Sequence, residues 1–235
     1  MSRTRRPTQR RNARPGFTLI EAAFTTVIIG VGVVAMVDAQ QAFVRSNNWS
    51  NESSTAAFLA SEIREMTRLL PRHDPVTGLF LSGGSLVGWG PEDGEVLVTD
   101  FDDIDDFDGL SFSWVGTADP SDGDLQGPIN AYGEVIPAID ADGVVIIALD
   151  DDGAPMVDAN GDDLLESMQG WSQVVTVEKV RPHDNIPAIP IEDDAVEAPL
   201  GVDDFPLRVT VTVTYQNPEI DPAPRDVTSL SWIVP

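Results

Sequence analysis

The chain has no cysteine among its 235 residues. This absence excludes thiol catalysis, disulfide bonds and thiolate metal sites, so the fold depends on packing, hydrogen bonds or bound ions. Only two histidines occur, His73 and His183, and neither has a spacing typical of metal ligands. The nucleophile pattern Gly-x-Ser-x-Gly and the phosphate-loop pattern Gly-x-x-x-x-Gly-Lys are absent as well. No feature of the sequence favours an enzyme.

Basic residues are scarce and unevenly placed. The chain carries 14 Lys and Arg against 39 Asp and Glu, a net charge of −25. Six arginines lie within residues 1–16, which contain no acid, so residues 17–235 carry a charge of −31. No Lys or Arg occurs between Arg72 and Lys179. Such a surface lacks the basic footprint that phosphate binding requires, which excludes nucleic acid as a partner.

A long apolar segment follows this basic leader. Residues 17–37 are interrupted only by Glu21 and by a few Thr and Gly residues. A helix needs about 20 apolar residues to cross a bilayer. The positive flank predicts that the N-terminus is cytoplasmic and that the acidic bulk is extracytoplasmic. The sequence therefore predicts a single-pass protein of the cytoplasmic membrane.

The segment Gly16-Phe17-Thr18-Leu19-Ile20-Glu21 resembles the processing signal of type IV prepilins and type II secretion pseudopilins. The resemblance covers about residues 1–70. It implies that a prepilin peptidase/methyltransferase removes the leader 1–16 by cleaving after Gly16 and methylates the new N-terminal Phe17. It also implies that Glu21 guides assembly by neutralising the Phe17 amine of a neighbouring subunit. An acid at membrane depth is costly, which fits a functional role for Glu21.

This resemblance favours a minor subunit of a type IV pilus or related filament, whose partners are the peptidase and other pilin or pseudopilin subunits. The protein would lie in the inner membrane before it enters a pilus or pseudopilus. Two alternatives stay open: a type II secretion pseudopilin, and a membrane-anchored acidic module, such as a calcium-binding adhesin, that never assembles. The mature N-terminus discriminates between assembly and anchoring, because only a processed subunit begins at Phe17.

The helix is predicted to continue beyond the membrane as an amphipathic segment, residues 38–70. Apolar residues recur there at three- and four-residue steps, at Ala56, Leu59, Ile63, Met66 and Leu70. Pro71 ends the pattern, because the residue before a proline disfavours helix. Poor helix formers at 46–51, and Gly30 and Gly32 within the span, predict a looser helix at those points.

Residues 71–235 are predicted to form one acidic, β-rich extracytoplasmic domain. Alternating apolar residues predict strands at 205–215, 171–181 and 230–234, and shorter ones at 95–99, 110–115 and 144–149. Residues 182–204 read as an irregular excursion, and no internal repeat is evident. Strands joined without helices imply an antiparallel sheet. The predicted fold class is α+β: a long N-terminal helix, transmembrane in its first half, packed on a C-terminal antiparallel sheet, as in pilins.

Two acid-rich segments are candidates for calcium binding, although no cofactor is required by the sequence. Asp158, Asn160, Asp162 and Glu166 place oxygen ligands at steps one, three, five and nine, a spacing that calcium loops use. Asp163 stands where an EF-hand has glycine. Some secretion pseudopilins bind calcium in C-terminal loops, which the resemblance brings here as an expectation. The alternative is that these residues, like Asp140 and Asp150, are solvated turn acids.

The second segment is the run of acids at 100–108, which contains Phe101, Ile104 and Phe107 three residues apart. This spacing favours a packed turn, with metal binding as the alternative.

Overall fold

The computed structural model describes residues 17–95, 97–117, 123–150, 152–157, 161, 163–182, 187–193, 200–218 and 220–235. The chain divides into two compact units, with the boundary between Ser50 and Asn51. The first unit contains the N-terminal part of one long helix. The second contains the end of that helix and all of the strands.

The helix α1 runs from Leu19 to Met66, and a 3-10 turn at Thr67–Leu69 follows it directly. The chain leaves helical geometry at Leu70, as the proline at position 71 predicts. α1 continues through residues 46–51 and through Gly30 and Gly32, so the predicted loosening is wrong. Weak helix formers cost less than about 1 kcal/mol each, and a helix already nucleated gains one backbone hydrogen bond per added residue.

One helix in the described part of the chain is long and apolar enough to cross a membrane. It spans Leu19–Leu69 and lies near the N-terminus, and its most apolar window has a mean hydropathy of 2.2. Residues 17–51 are all exposed. Burial begins near the end of α1, where Ala56, Leu59, Ala60 and Ile63 are buried. The buried stripe predicted at Ala56, Leu59 and Ile63 is confirmed, whereas residues 38–51 of the predicted amphipathic segment are all exposed.

A five-stranded sheet forms the framework of the second unit, with strand order β4-β3-β5-β6-β7. Its strands are β3 (Ser111–Ser113), β4 (Asp124–Gln126), β5 (Trp171–Lys179), β6 (Leu207–Tyr215) and β7 (Arg225–Val234). A separate antiparallel hairpin joins β1 (Phe80–Ser82) and β2 (Ser85–Val87). The β3–β4 pair is parallel and the other neighbours are antiparallel. The α+β fold class is confirmed, and the sheet is mixed only at this edge.

Side chains from the end of α1 and from one face of the sheet form a single core. Alternate residues of β6 are fully buried, as its apolar/polar alternation predicts: Leu207, Val209, Val211 and Val213. Gln173 of β5 crosses this core. Its amide nitrogen donates to Leu59 O (2.8 Å) and Ile129 O (3.0 Å), and its carbonyl oxygen accepts from Ile129 N (2.8 Å). One buried amide thus fixes helix, sheet and loop together.

Two of the short predicted strands differ in the structure. Residues 97–100 form a turn that is closed by hydrogen bonds between Leu97 and Asp100 in both directions. The carboxylate of Asp100 competes for the backbone donor that a strand would use. Residues 144–149 form isolated bridges to several segments instead of one ladder. The strand predicted at 110–115 is confirmed as β3.

Candidate functional sites

The N-terminal motif contains a capping arrangement at the start of α1. Thr18 donates to Oε2 of Glu21 from its backbone N (2.9 Å) and from its hydroxyl (2.8 Å), and Glu21 N donates back to the hydroxyl (3.3 Å). This reciprocal pattern is a capping box, and it satisfies backbone donors that the first helical turn leaves unpaired. Sequence analysis missed this role, although the signal Thr-x-x-Glu was present.

Phe17 precedes this cap in non-helical backbone and is exposed, whereas Gly16 lies outside the described residues. Glu21 is an exposed acid in the first turn of α1, where the positive end of the helix dipole favours a carboxylate. Two of the three residues that the resemblance singles out therefore lie together at the head of the apolar helix. The hydrogen bonds from Thr18 hold the carboxylate of Glu21 in this position within one chain.

The predicted calcium loop is only partly described. Asp158, Asn160 and Asp162 lie outside the described residues, and Glu166 is the one candidate ligand whose surroundings are known. Its side chain accepts a hydrogen bond from the amide of Gln169. Its backbone accepts from Ala138 N (2.7 Å) and donates to Ile146 O (2.9 Å). The backbone of Glu166 is therefore hydrogen-bonded to two neighbouring segments, and its carboxylate already has Gln169 as a partner.

A ten-residue repeat, which sequence analysis missed, occupies residues 128–157. Each repeat has a turn opened by one Asn or Asp, whose Oδ1 accepts from the backbone N of the residues two and four positions later at 2.8–3.1 Å. A glycine with φ near +80° follows three positions after the first residue. The first residues are Asn130, Asp140 and Asp150, and the glycines are Gly133, Gly143 and Gly153. The expectation of no internal repeat is wrong.

Backbone hydrogen bonds stack these turns. Ala138 N donates to Glu166 O, Glu166 N donates to Ile146 O, and Ile146 N donates to Ala138 O, at 2.7–2.9 Å. The same triangle recurs in the next repeat, at 2.8 Å. Ala148 and Met156 take the places of Ala138 and Ile146, and Leu164 takes the place of Glu166. The returning segment 163–168 therefore connects successive turns. In this region Asp140 and Asp150 use a carboxylate oxygen to close their own turns, as Asx turns do, which supports the interpretation as turn acids.

The second acid-rich segment is a packed turn, as predicted. Phe101, Ile104 and Phe107 are buried in the core, and the rings of Phe101 and Phe107 meet edge to face at 5.3 Å. Ile104 N donates to Pro71 O at 3.0 Å, which fixes this turn to the residues that follow α1. Asp108 accepts from Val177 N at 2.8 Å. Sheet, core and loop thus hold the segment in place.

Packing of these apolar residues draws Asp103, Asp105 and Asp106 inside, whereas Asp102 remains exposed beside them. We define the acid cluster as Glu92, Glu95, Asp102, Asp103 and Asp106. Carboxylate oxygens of Glu92, Asp103 and Asp106 lie within 4.8 Å of one another, and so do those of Glu95, Asp102 and Asp106. Asp106 belongs to both groups and is at the centre of the cluster.

Backbone N–H groups hold one oxygen of each central carboxylate. Oδ2 of Asp106 accepts from Asp102 N (3.1 Å) and Asp103 N (3.2 Å), and Oδ1 of Asp103 accepts from Asp106 N (3.2 Å). The second oxygen of each, Oδ2 of Asp103 and Oδ1 of Asp106, has no hydrogen-bond partner among the described residues. Both oxygens of Glu92 are buried without a partner as well. The cluster thus presents several unsatisfied acceptors at one place.

Burial is the main cause of strongly shifted pKa values here. It raises the pKa of Asp103 to about 9, and it raises the pKa of Asp106 and Glu92 to about 7, with neighbouring carboxylates adding to the rise. Asp105, beside the cluster, also has a pKa raised to about 7 by burial. Near neutral pH these acids need protons or a cation to compensate their charge.

His73 contacts the far side of this acidic turn. Its Nδ1 lies 3.1 Å from Oδ2 of Asp105, and both side chains are buried. Burial lowers the pKa of His73 to about 4, so the ring is neutral near pH 7 and can donate Nδ1–H to the carboxylate. This pair ties the residues after α1 to the acidic turn without contributing a positive charge.

No protein-family model matches the chain, and neither functionally characterised proteins nor solved structures show significant similarity to it.

Proposed function

We propose that the chain is a prepilin-like minor subunit of a type IV pilus or a related filament, cleaved after Gly16 and assembled through α1. A type II secretion pseudopilin is the nearest alternative, because it shares the same N-terminal signal. The observation that carries the proposal is the position of Glu21 beside Thr18, at the start of α1, whose residues 19–51 are all exposed. Residues 19–37 of this helix are mainly apolar, and an exposed apolar surface of that length needs lipid or neighbouring helices to cover it.

Charge pairing explains why an acid would be kept at this position. Removal of the leader creates a free amine on Phe17, and assembly then buries that cation among apolar helices. Leaving a buried charge without a partner costs several kcal/mol. The carboxylate of Glu21 on an adjacent subunit supplies the counter-charge and sets the axial register of one helix against the next.

Processing is tested first by the mature N-terminus. Mass spectrometry of the protein from its native host should show methylated Phe17 as the first residue. Gly16→Leu should leave the full-length precursor in the membrane, since a bulky side chain blocks cleavage at that bond, whereas Gly16→Ala serves as the small-residue control. An intact arginine-rich leader on the wild-type protein would overturn the proposal and favour the anchored module.

Assembly is tested by separating the two roles of Glu21. Glu21→Gln keeps the capping box, because glutamine also fits the third helical position, but removes the charge. Glu21→Val removes both. If the charge is required, both variants are cleaved and inserted normally, and both are lost from sheared filament fractions. Recovery of Glu21→Gln at the wild-type level would show that only the cap matters and would refute charge pairing.

A further inference from the structure

We propose that the acid cluster binds one Ca²⁺ ion, with Glu92, Asp103 and Asp106 as its carboxylate ligands and with Glu95 and Asp102 completing the site. This site is distinct from the loop 158–166 that the sequence suggests. It also does not depend on the proposed function, because it lies in the second unit of the chain and uses none of the N-terminal motif.

Unsatisfied buried oxygens are the first argument. Asp103 and Asp106 are both 0% exposed. Each keeps one carboxylate oxygen with no hydrogen-bond partner among the described residues. A buried acceptor that gives up water without gaining a partner costs about 1–3 kcal/mol, and more when it is charged. Several such oxygens in one place therefore indicate a ligand that satisfies them together.

Pre-organisation is the second argument. Backbone N–H groups of Asp102, Asp103 and Asp106 fix the opposite oxygens of the two aspartates. Hydrogen bonds of this kind orient ligating carboxylates in metal sites. The unsatisfied oxygens cannot turn toward solvent unless the two carboxylates rotate, and that rotation would break these hydrogen bonds. Glu92 is anchored too, since its backbone N donates to Oε2 of Glu95 at 2.8 Å.

Charge is the third argument. No Lys or Arg occurs between Arg72 and Lys179 in the sequence. None of the salt bridges seen in the described ranges involves Glu92, Asp103 or Asp106. Protons are the other possible compensation, but one proton satisfies only the pair of oxygens that shares it. A single Ca²⁺ accepts six to eight oxygen ligands and compensates two charges at once.

The donor set selects the ion. Every ligand is a carboxylate oxygen, which suits a hard cation and gives no reason to expect zinc or copper. A separation of up to 4.8 Å between ligand oxygens fits an ion whose bonds are about 2.3–2.6 Å long, as those of Ca²⁺ are. Mg²⁺ requires near-ideal octahedral geometry with bonds of about 2.0–2.1 Å and keeps several waters, which the fully buried carboxylates of Asp103 and Asp106 disfavour.

The ion would join two parts of the loop that follows α1. Glu92 and Glu95 lie after the β1–β2 hairpin. Asp102 and Asp103 precede the 3-10 turn at Asp105–Phe107, and Asp106 lies within it. The turn is packed against the core through Phe107, so the ion would hold residues 92–95 against a fixed support. Without it, repulsion among the carboxylates would loosen residues 92–95 first.

The test is calorimetric titration of Ca²⁺ into the full-length protein in detergent micelles, after chelator treatment and removal. The wild type should show one tight site above a weak background from exposed acids. Asp103→Asn combined with Asp106→Asn retains the oxygens that accept from the backbone and should remove the tight site. Loss of second-shell partners alone typically costs about 10- to 100-fold in metal affinity, so loss of two ligands should exceed that.

Asp142→Asn combined with Asp152→Asn is the matched control, because it removes the same charge from exposed positions and should leave the tight site intact. Glu92→Gln provides a second, single variant that should weaken binding and leaves both central aspartates in place. Absence of a tight site in the wild type would overturn the proposal. Unchanged binding in the Asp103/Asp106 variant, or equal binding of Mg²⁺ by the wild type, would overturn it as well.

Discussion

The central aspartates of segment 92–108 and the aspartates that open the turns of segment 130–153 are in opposite physical states. In the first segment Asp103, Asp105 and Asp106 are fully buried, and each keeps an oxygen without a partner among the described residues. In the second, Asp140 and Asp150 are exposed and each closes its own turn with two backbone hydrogen bonds. Acid density alone therefore does not indicate where an ion binds.

The apolar neighbours make the difference. Phe101, Ile104 and Phe107 recur every three residues and enter the core. Asp103, Asp105 and Asp106 are carried inside with them, whereas Asp102 stays exposed. The turns at 140 and 150 instead have glycine and further acids at their tips, so nothing draws the carboxylates away from water. An aspartate next to water is satisfied at little cost, whereas a buried one needs a proton, a donor or a cation.

The largest contrast is expected from truncating one aromatic residue in each segment. Phe107→Ala should lower the free energy of unfolding by about 3–5 kcal/mol, because it opens a cavity under the acidic turn. Phe107 is 0% exposed, whereas Tyr132, at the first turn of the repeat, is 80% exposed. Tyr132→Ala should change stability by less than about 0.5 kcal/mol. Urea denaturation in micelles measures both, and equal losses would contradict the contrast between the segments.

A pH titration of stability should separate the segments next. In the absence of divalent ions, Asp103, with a pKa of about 9, and Glu92, Asp105 and Asp106, with pKa values of about 7, hold protons in the folded state that the unfolded state has released. Stability should therefore fall as pH rises, by up to about 1.4 kcal/mol per pH unit for each excess proton.

His73 acts in the opposite direction. Its pKa is lowered to about 4, so between about pH 4 and 6.5 the unfolded state binds its proton more readily and stability rises with pH. The window from about pH 6.5 to 9 is free of this contribution. Thermal melts in chelator should decline there for the wild type and much less for Asp103→Asn/Asp106→Asn. Parallel curves would show that the cluster does not titrate as its burial requires.

Much of the architecture could be predicted from periodicity. Apolar and polar residues alternate in β6, and apolar residues recur at three- and four-residue steps before Pro71. Each pattern indicates an element that is buried on one face, and such burial determines where strands and helices pack. The packed turn at Phe101–Phe107 was predicted for the same reason. For the acid run 100–108 metal binding was only the alternative, and no sequence signal joined Glu92 and Glu95 to it. The members of the acid cluster come from two places in the sequence and meet only through the packing of the turn that carries Asp103 and Asp106. Glu92 carries no local signal of this contact.

The repeat was missed for a different reason. The repeat is defined by its backbone geometry. Each unit has one Asn or Asp, a glycine three positions later, and flanking residues whose backbones are hydrogen-bonded to neighbouring segments. The residues between these positions vary among Ala-Tyr, Ala-Asp and Asp-Asp. The composition of these turns does not differ from that of the acidic chain around them, so composition does not reveal the repeat. The ten-residue spacing of Gly133, Gly143 and Gly153 does reveal it.

Glycine substitution tests the repeat. Gly143 has φ +81° and open space around the position of a Cβ. Gly143→Ala should therefore cost about 1–2 kcal/mol from left-handed backbone geometry alone, and Gly143→Asn should cost less, because asparagine tolerates this region. Hydrogen exchange of the Val144 amide, which donates to Asp140, measures the local loss. Unchanged exchange in Gly143→Ala would show that the turn does not depend on the glycine.

The smallest expected effect comes from applying one chemical change to both segments. Asp140→Asn should be nearly neutral, because an asparagine oxygen accepts the same two backbone hydrogen bonds and Asn130 already does so in the first turn. Asp140→Ala should cost about 0.5–1.5 kcal/mol, since both bonds are lost. Asp103→Asn, in chelator, should stabilise the protein, because the wild-type carboxyl, with a pKa of about 9, must take up a proton on folding at pH 8. Asparagine needs no proton and retains the oxygen that faces the backbone. Thermal melts of the three variants at pH 8 compare them directly. If Asp103→Asn were as neutral as Asp140→Asn, the carboxylates at 92–106 would be as well solvated as those of the turns, and the physical distinction between the two segments would fail.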